Sequence, residues 1–286
     1  MLFAHDINSK NEWTVAKNEA SLIFPLVKYI CQKVHISTEH LRQQNPSTNA
    51  VFRSDNKIIK IYAPANAGYQ AELDYLREVY ALNKISCPSI RSPELIEAGC
   101  LQDKYDFYYT VQSFIQGIPA DTFLDENGQK GLFKFCDDLN LFLEYLRSIK
   151  VEKSDLSLLS EETINDKKIS TTSRCSFFVH SDISCSNVLI NKGKLAVIDF
   201  EDWFFAPACA EYPAIVFDLF KLHADAIRVF FKREISIELA CIIANGICCH
   251  RDSYNFARKI NCNWGKENVT ASTTEMAYRF FSILKD

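Results

Sequence analysis

His180-Ser181-Asp182-Ile183-Ser184-Cys185-Ser186-Asn187-Val188-Leu189-Ile190 and, beyond an Asn191-Lys192-Gly193 turn, Val197-Ile198-Asp199-Phe200-Glu201-Asp202 are the stretch on which the fold turns. Asp182 and Asn187 stand five positions apart and lead into an apolar run of strand character. Asp199 follows a second such run directly, and the turn between the runs has the composition of a hairpin. A hairpin of this kind brings the two polar ends together. Magnesium takes oxygen ligands, so Asn187 and Asp199 can hold it against nucleotide phosphates. Asp182 then stands where it can accept a proton from an attacking hydroxyl. Each residue alone reads as a turn residue; their joint spacing is what points to phosphoryl transfer.

Working outward, Gly131 to Ile149 reads as a helix, followed by a polar loop over Glu152 to Thr172. Beyond Asp202, helical patterns occupy Ala210 to Leu222, Ile235 to Cys249 and Ser272 to Leu284. The first part of the chain differs. Ser21 to Val34 is an apolar helix with Pro25 near its first turn. Ala50 to Arg53 and Lys57 to Tyr62 flank a Ser54-Asp55-Asn56 turn, which predicts a β-hairpin. Leu73, Leu76, Tyr80 and Leu82 predict an amphipathic helix over Gln70 to Ile85, and strands follow at Glu94 to Ala98 and Phe107 to Ser113. Phe114 to Ala120, with Gly117 and Pro119, reads as a boundary. A β-rich first part followed by a mainly helical second part is an α+β arrangement, not a repeated βαβ sheet.

Composition excludes several classes. Of 286 residues, 48% are hydrophobic and 24% charged, ordinary values for a globular chain. The net charge of 32 − 36 = −4 offers no basic surplus for nucleic acid. The longest apolar run, Leu239 to Cys249, is too short to cross a bilayer. Met1 to Lys10 turns polar too early for a secretory leader. Eleven cysteines, odd in number and without paired spacing, suit reduced thiols and a cytoplasmic location. Cys248-Cys249-His250 lacks a second ligand pair at zinc spacing, so buried thiols are expected there. Cys185, inside the central stretch, is open to oxidation, though nothing in the sequence marks a lowered pKa.

His180-x-Asp182-x4-Asn187 and Ile198-Asp199-Phe200-Glu201-Asp202 together resemble the aminoglycoside phosphotransferase and choline kinase-like family, relatives of the protein kinases. Protein kinases carry Arg before the base and Gly after Phe; Ser181 and Glu201 depart from that, which favours the small-molecule branch. The resemblance implies a bilobal protein-kinase-like fold, with residues 1–116 as a nucleotide-binding lobe and 117–286 as a catalytic and substrate-binding lobe. It implies ATP and Mg2+ as cofactors and a small-molecule hydroxyl (aminoglycoside-, choline- or sugar-like) as acceptor. It places Lys60 against the α and β phosphates, with Glu78 as its helix partner and Glu72 as the competing candidate. Thr110 to Gly117 resembles the hinge that would bind adenine, through backbone groups at Ser113 and Ile115. Pro46 to Ala50 would be the nucleotide-covering loop, with Ser47, Thr48 or Asn49 in place of glycines. His180 would pack beneath the catalytic loop. Where the family continues with Gly-Asp-Pro and a further Asp, this chain has Phe205-Ala206-Pro207-Ala208-Cys209-Ala210-Glu211, so that either Glu211 or Asp218 serves instead or that structural contact is missing.

Asp202 and Glu201 are candidates for metal or substrate, with solvation or capping as the plainer reading. With Glu211 and Asp218 they suit a cationic acceptor. Trp203-Phe204-Phe205 could wall a quaternary ammonium, but three consecutive aromatics cannot share one pocket, and core packing is expected. Two other functions stand beside the small-molecule phosphotransferase: a protein-modifying kinase, and a non-catalytic kinase-fold binding or regulatory module.

Overall fold

The computed structural model describes residues 1–44, 48–150, 177–260 and 273–285. The expected polar loop at Glu152 to Thr172, and Pro46 and Ser47 of the expected covering loop, lie outside the described residues. The chain divides into two compact units: Met1–Ser86 with Ser92–Gln116, and Cys87–Arg91 with Gly117–Asp286.

The first unit opens with two helices, α1 (Lys10–Asn18) and α2 (Ala20–Lys33). Ser9 caps α1 by accepting from the Glu12 amide. A five-stranded antiparallel sheet follows, in the order β1-β2-β3-β5-β4, built from β1 (Arg42–Gln43), β2 (Ala50–Ser54), β3 (Lys57–Ile61), β4 (Leu95–Gln102) and β5 (Asp106–Ser113). β2 and β3 form the expected hairpin: Ser54 faces Lys57, and Asp55 takes the left-handed conformation (φ 50°) that a two-residue turn needs. Ile23, Leu26, Val27 and Ile30 of α2 join Phe52, Ile59, Ile61 and Phe107 in one apolar core. Helix α3 (Ala71–Lys84) has the expected extent, and of its expected apolar face Leu82 is buried and Leu73 and Tyr80 are half-buried. Leu76 is 36% exposed, whereas Arg77 and Glu78 are each 1% exposed. Glu78 has a buried partner, described below, and Arg77 lies 3.9 Å from the Asp74 carboxylate.

The second unit begins with β6 (Ile118–Pro119) and α4 (Ala120–Ser148). This helix starts eleven residues before the expected Gly131, and a non-helical Gly128 (φ 55°, ψ −150°) kinks it. The polar run Asp125-Glu126-Asn127-Gly128 breaks the apolar period, which is why the first segment escapes periodicity. β7 (Phe177–Val179) pairs with β10 (Phe204–Ala206), while β8 (Val188–Asn191) and β9 (Lys194–Val197) form a hairpin edged by β6. Lys192 and Gly193 both have positive φ (49° and 75°), the signature of a tight hairpin turn. Helices α5 (Ala224–Phe231), α6 (Ile237–Cys249), α7 (Ser253–Lys259) and α8 (Thr273–Lys285) complete the unit. The helix expected over Ala210 to Leu222 is instead a short 3₁₀ turn, Ala208–Glu211, and a π-turn, Ala214–Leu219, closed by the Phe220 amide on the Ile215 carbonyl at 2.8 Å. Pro207 and Pro213 interrupt the regular ladder, and the wide turn holds Asp218 beside the loop that carries Asp182. No helix among the described residues is long and apolar enough to cross a membrane.

Candidate active site

In the second unit, the hairpin β8–β9 brings the polar ends together as its sequence requires. Val188 pairs with Val197, and the Ile198 amide donates to the Asn187 carbonyl at 3.0 Å, so Asn187 and the residue before Asp199 are directly joined. Asn187 Nδ2 donates to Asp182 Oδ2 at 2.6 Å and to the Asp182 carbonyl at 3.1 Å. With its side-chain nitrogen committed to Asp182, the side-chain Oδ1 of Asn187 is the atom it offers to a cation. Asp199 adopts φ 67°, a conformation Asp tolerates better than most side chains. This carboxylate and amide oxygen form a hard oxygen donor set of the kind magnesium takes, so the residues fit that ion.

The loop before the hairpin is held at every point. Ser181 has φ 72°, which costs energy for a non-glycine residue. Its amide and that of His180 donate to the two carboxylate oxygens of Glu211, at 2.9 and 2.7 Å. Its carbonyl meets His250 Nε2 at 2.9 Å, while His250 Nδ1 accepts from the Asp252 amide, so Nε2 carries the proton. Of the two acids left open after the missing Gly-Asp-Pro, Glu211 is therefore the one that grips the loop. It is 3% exposed; burial pushes its carboxyl up to about 7, opposed by those two amides. His180 lies beneath the loop, its ring 4.6 Å from that of Phe200. It bonds the Ile198 carbonyl through Nε2 and accepts the Asp182 amide on Nδ1. Burial holds its pKa down at about 4, so it is a neutral strut.

Asp182 is pushed up to about 6, chiefly by burial and then by the charges of Asp199 and Asp202, against hydrogen bonds from Ser184 and Asn187. A raised carboxyl pKa means that ionising Asp182 costs stability as pH climbs from its ordinary range through about 6. At pH 7.5, Asp182→Asn removes that cost. The expected result is a melting temperature raised by about 3 °C in calorimetry; a lowered value would contradict the burial account.

In the first unit, Lys60 lies mid-strand in β3, between Val51 and Thr110 on the flanking strands. Its ammonium pairs with Glu78 Oε2 at 2.9 Å, and the two side chains are 7% and 1% exposed. Of the two candidate acids, Glu78 is thus the partner; Glu72 instead lies beside the Tyr108 hydroxyl. Tyr62, just beyond β3 and two residues after Lys60, also donates to Glu78, a contact that no local pattern signals. Removing one member of a buried pair strands the other charge. Glu78→Ala is expected to lower unfolding stability by about 3 kcal/mol in urea titration, against under 1 kcal/mol for a solvated pair.

The other expected residues divide. The Ser113 amide and hydroxyl are occupied by the Glu94 carbonyl and amide, at 2.9 and 2.8 Å. Ile115 is half-buried, and its backbone groups make no bond among the described residues. Thr48 accepts from Trp13 Nε1 at 2.8 Å, and Asn49 Oδ1 accepts from the Ala63 amide at 3.0 Å, so both anchor their segment to the unit. Glu201 is 8% exposed. Asp202 is paired with Arg251 at 2.6 Å. Trp203 is fully buried and stacks on Phe178 at 4.6 Å, and Phe204 is buried too, so core packing holds for these two, while Phe205 is half-buried against Trp203.

This arrangement is a protein-kinase-like fold, the one found in aminoglycoside phosphotransferases. The GDP complex of aminoglycoside 2'-phosphotransferase-IIIa superposes with a TM-score of 0.57 at 13% identity, covering 92% of this chain and 98% of that one. The ADP and hygromycin B complex of APH(4)-Ia gives 0.56 at 13%, over 90% and 97%. The streptomycin-ATP complex of APH(2")-IIa gives 0.55 at 14%, over 78% and 86%. No protein-family model and no curated protein matches the sequence.

Proposed function

We propose that the protein is an ATP-dependent phosphotransferase that moves the γ-phosphate to a hydroxyl of a small molecule. The observation that carries this reading is the joining of Asp182, Asn187 and the base of Asp199 by the 2.6 Å and 3.0 Å bonds at the open end of one hairpin. The likeness of fold to nucleotide-bound phosphotransferases supports it. In this reading residues 1–116 are the nucleotide-binding lobe and 117–286 the catalytic lobe. Lys60, oriented by Glu78, meets the α and β phosphates, and the backbone at Ile115 meets adenine. Asn187 and Asp199 hold magnesium. The ion, when bound, neutralises charge on the transferring phosphate. Asp182 orients the acceptor hydroxyl and takes its proton as the oxygen–phosphorus bond forms. Because the transition state is loose, positioning and charge supply most of the acceleration. The cysteine usage suits a reducing compartment such as the cytoplasm.

A base must be ionised to act. kcat/KM is therefore expected to fall tenfold per pH unit below about 6 and to level off above it; a profile flat from pH 5 to 8 would remove Asp182 from the role. Incubation with γ-labelled ATP, magnesium and matched sets of small alcohols and proteins tests the reading itself. Label in small alcohols is expected. Label in proteins would favour a protein-modifying kinase, and no nucleotide binding at all a non-catalytic module.

A further inference from the structure

Three carboxylates border the loop that carries Asp182 within the second unit. Asp202 is close enough to raise the Asp182 carboxyl, and it accepts from Arg251 Nη1 at 2.6 Å. Arg251 follows His250, which bonds the Ser181 carbonyl one residue before Asp182. On another side, the Asp218 carbonyl accepts the Cys185 thiol at 3.3 Å, while the Asp218 carboxylate is paired with Lys259. The Lys259 ammonium also stands 4.7 Å from the Phe256 ring centroid. Asp121, at the start of α4 and within electrostatic reach of Cys185, is paired with Lys221 at 2.9 Å. Glu201 and Glu211 are buried, and Glu211 is bound to two backbone amides.

Every acid that the sequence offered to a cationic acceptor is thus either matched by a basic side chain of the chain itself or buried. A polycation would have to displace Arg251, Lys259 and Lys221, exchanging one ion pair for another with little net gain. An uncharged acceptor needs no exchange, and the paired side chains offer it both donors and acceptors. We propose that the acceptor is an uncharged polyhydroxyl compound, sugar- or polyol-like, and not a polycation such as an aminoglycoside. The inference rests on the phosphotransferase reading above.

The test uses the full chain, gentamicin and a set of hexoses and polyols. A thermal shift with ATP and magnesium is measured first; its absence would overturn the phosphotransferase reading, and the acceptor assignment with it. With that shift present, calorimetry is expected to show no gentamicin binding tighter than about 1 mM, and transfer is expected to hexoses or polyols. The double variant Arg251→Ala, Lys259→Ala, at exposed positions, releases Asp202 and Asp218 and should bind gentamicin about fivefold to tenfold more tightly than the unaltered chain. Arg251→Met alone, which keeps the length of the side chain, should give part of that gain. Gentamicin binding by the unaltered chain at about 10 µM or tighter, or faster transfer to gentamicin than to any neutral compound, would overturn the assignment while leaving the phosphotransferase reading intact. An absence of gain in both variants would also overturn it.

Discussion

Replacing Asp182 by alanine is expected to lower kcat by about a thousandfold while the affinity for ATP with magnesium stays within about twofold. The expectation follows from the separation of tasks within the loop. Asp182 is tied to Asn187 Nδ2 and to the Ser184 side chain, and its half-buried carboxyl has its proton affinity raised into the working range, to about 6, whereas the other raised carboxyl, Glu211, is buried and taken up by two backbone amides. Asp182→Asn keeps the shape and cannot take a proton, so it should lose as much turnover as the alanine variant. That pairing separates proton transfer from packing. Equal loss in both variants with intact nucleotide binding supports the base. Turnover retained in either one would refute it.

Asp199→Ala should have the second largest effect, and on a different quantity. It should weaken ATP binding in the presence of magnesium by about a hundredfold, and leave binding in a chelator unchanged. The site has oxygen donors at Asn187 and Asp199, and alanine removes one of them. Alanine also sits poorly at φ 67°, at a cost of about 1–2 kcal/mol. Asp199→Asn keeps a side chain suited to that backbone and lacks the charge, so it isolates the electrostatic part. Calorimetric titrations of both variants, with and without metal, read the difference directly. Unchanged affinity for magnesium-bound nucleotide would show that Asp199 does not hold the ion.

Much of this was legible in the sequence because the signals were local. The turn chemistry of Ser54-Asp55-Asn56 and Asn191-Lys192-Gly193 set both hairpins, and the second hairpin sufficed to join Asn187 to the residue before Asp199. What stayed hidden depends on distant chain segments. Glu78 lies on the buried side of α3 because Lys60 on β3 and Tyr62 just beyond it meet it, a pairing across sixteen or more residues that apolar periodicity reads as a solvent face. The clamp on Ser181 draws Glu211 from a 3₁₀ turn and His250 from the end of α6, thirty and sixty-nine residues away. The acids near Asp182 looked available to a cationic ligand because their basic partners, Arg251, Lys259 and Lys221, lie elsewhere in the sequence. The segment before Gly131 failed for the opposite reason, since its polar run conceals a short helical segment that the non-helical Gly128 separates from the longer one.

The most direct measurement gives the unaltered chain and the Asp182→Ala variant magnesium, γ-labelled ATP and a pool of small hydroxyl compounds, and follows the label by mass spectrometry. The account predicts a neutral compound that gains one phosphoryl group with the unaltered chain and not with the variant. Label that stays in ATP across the whole pool, although magnesium-bound nucleotide is held, would contradict it.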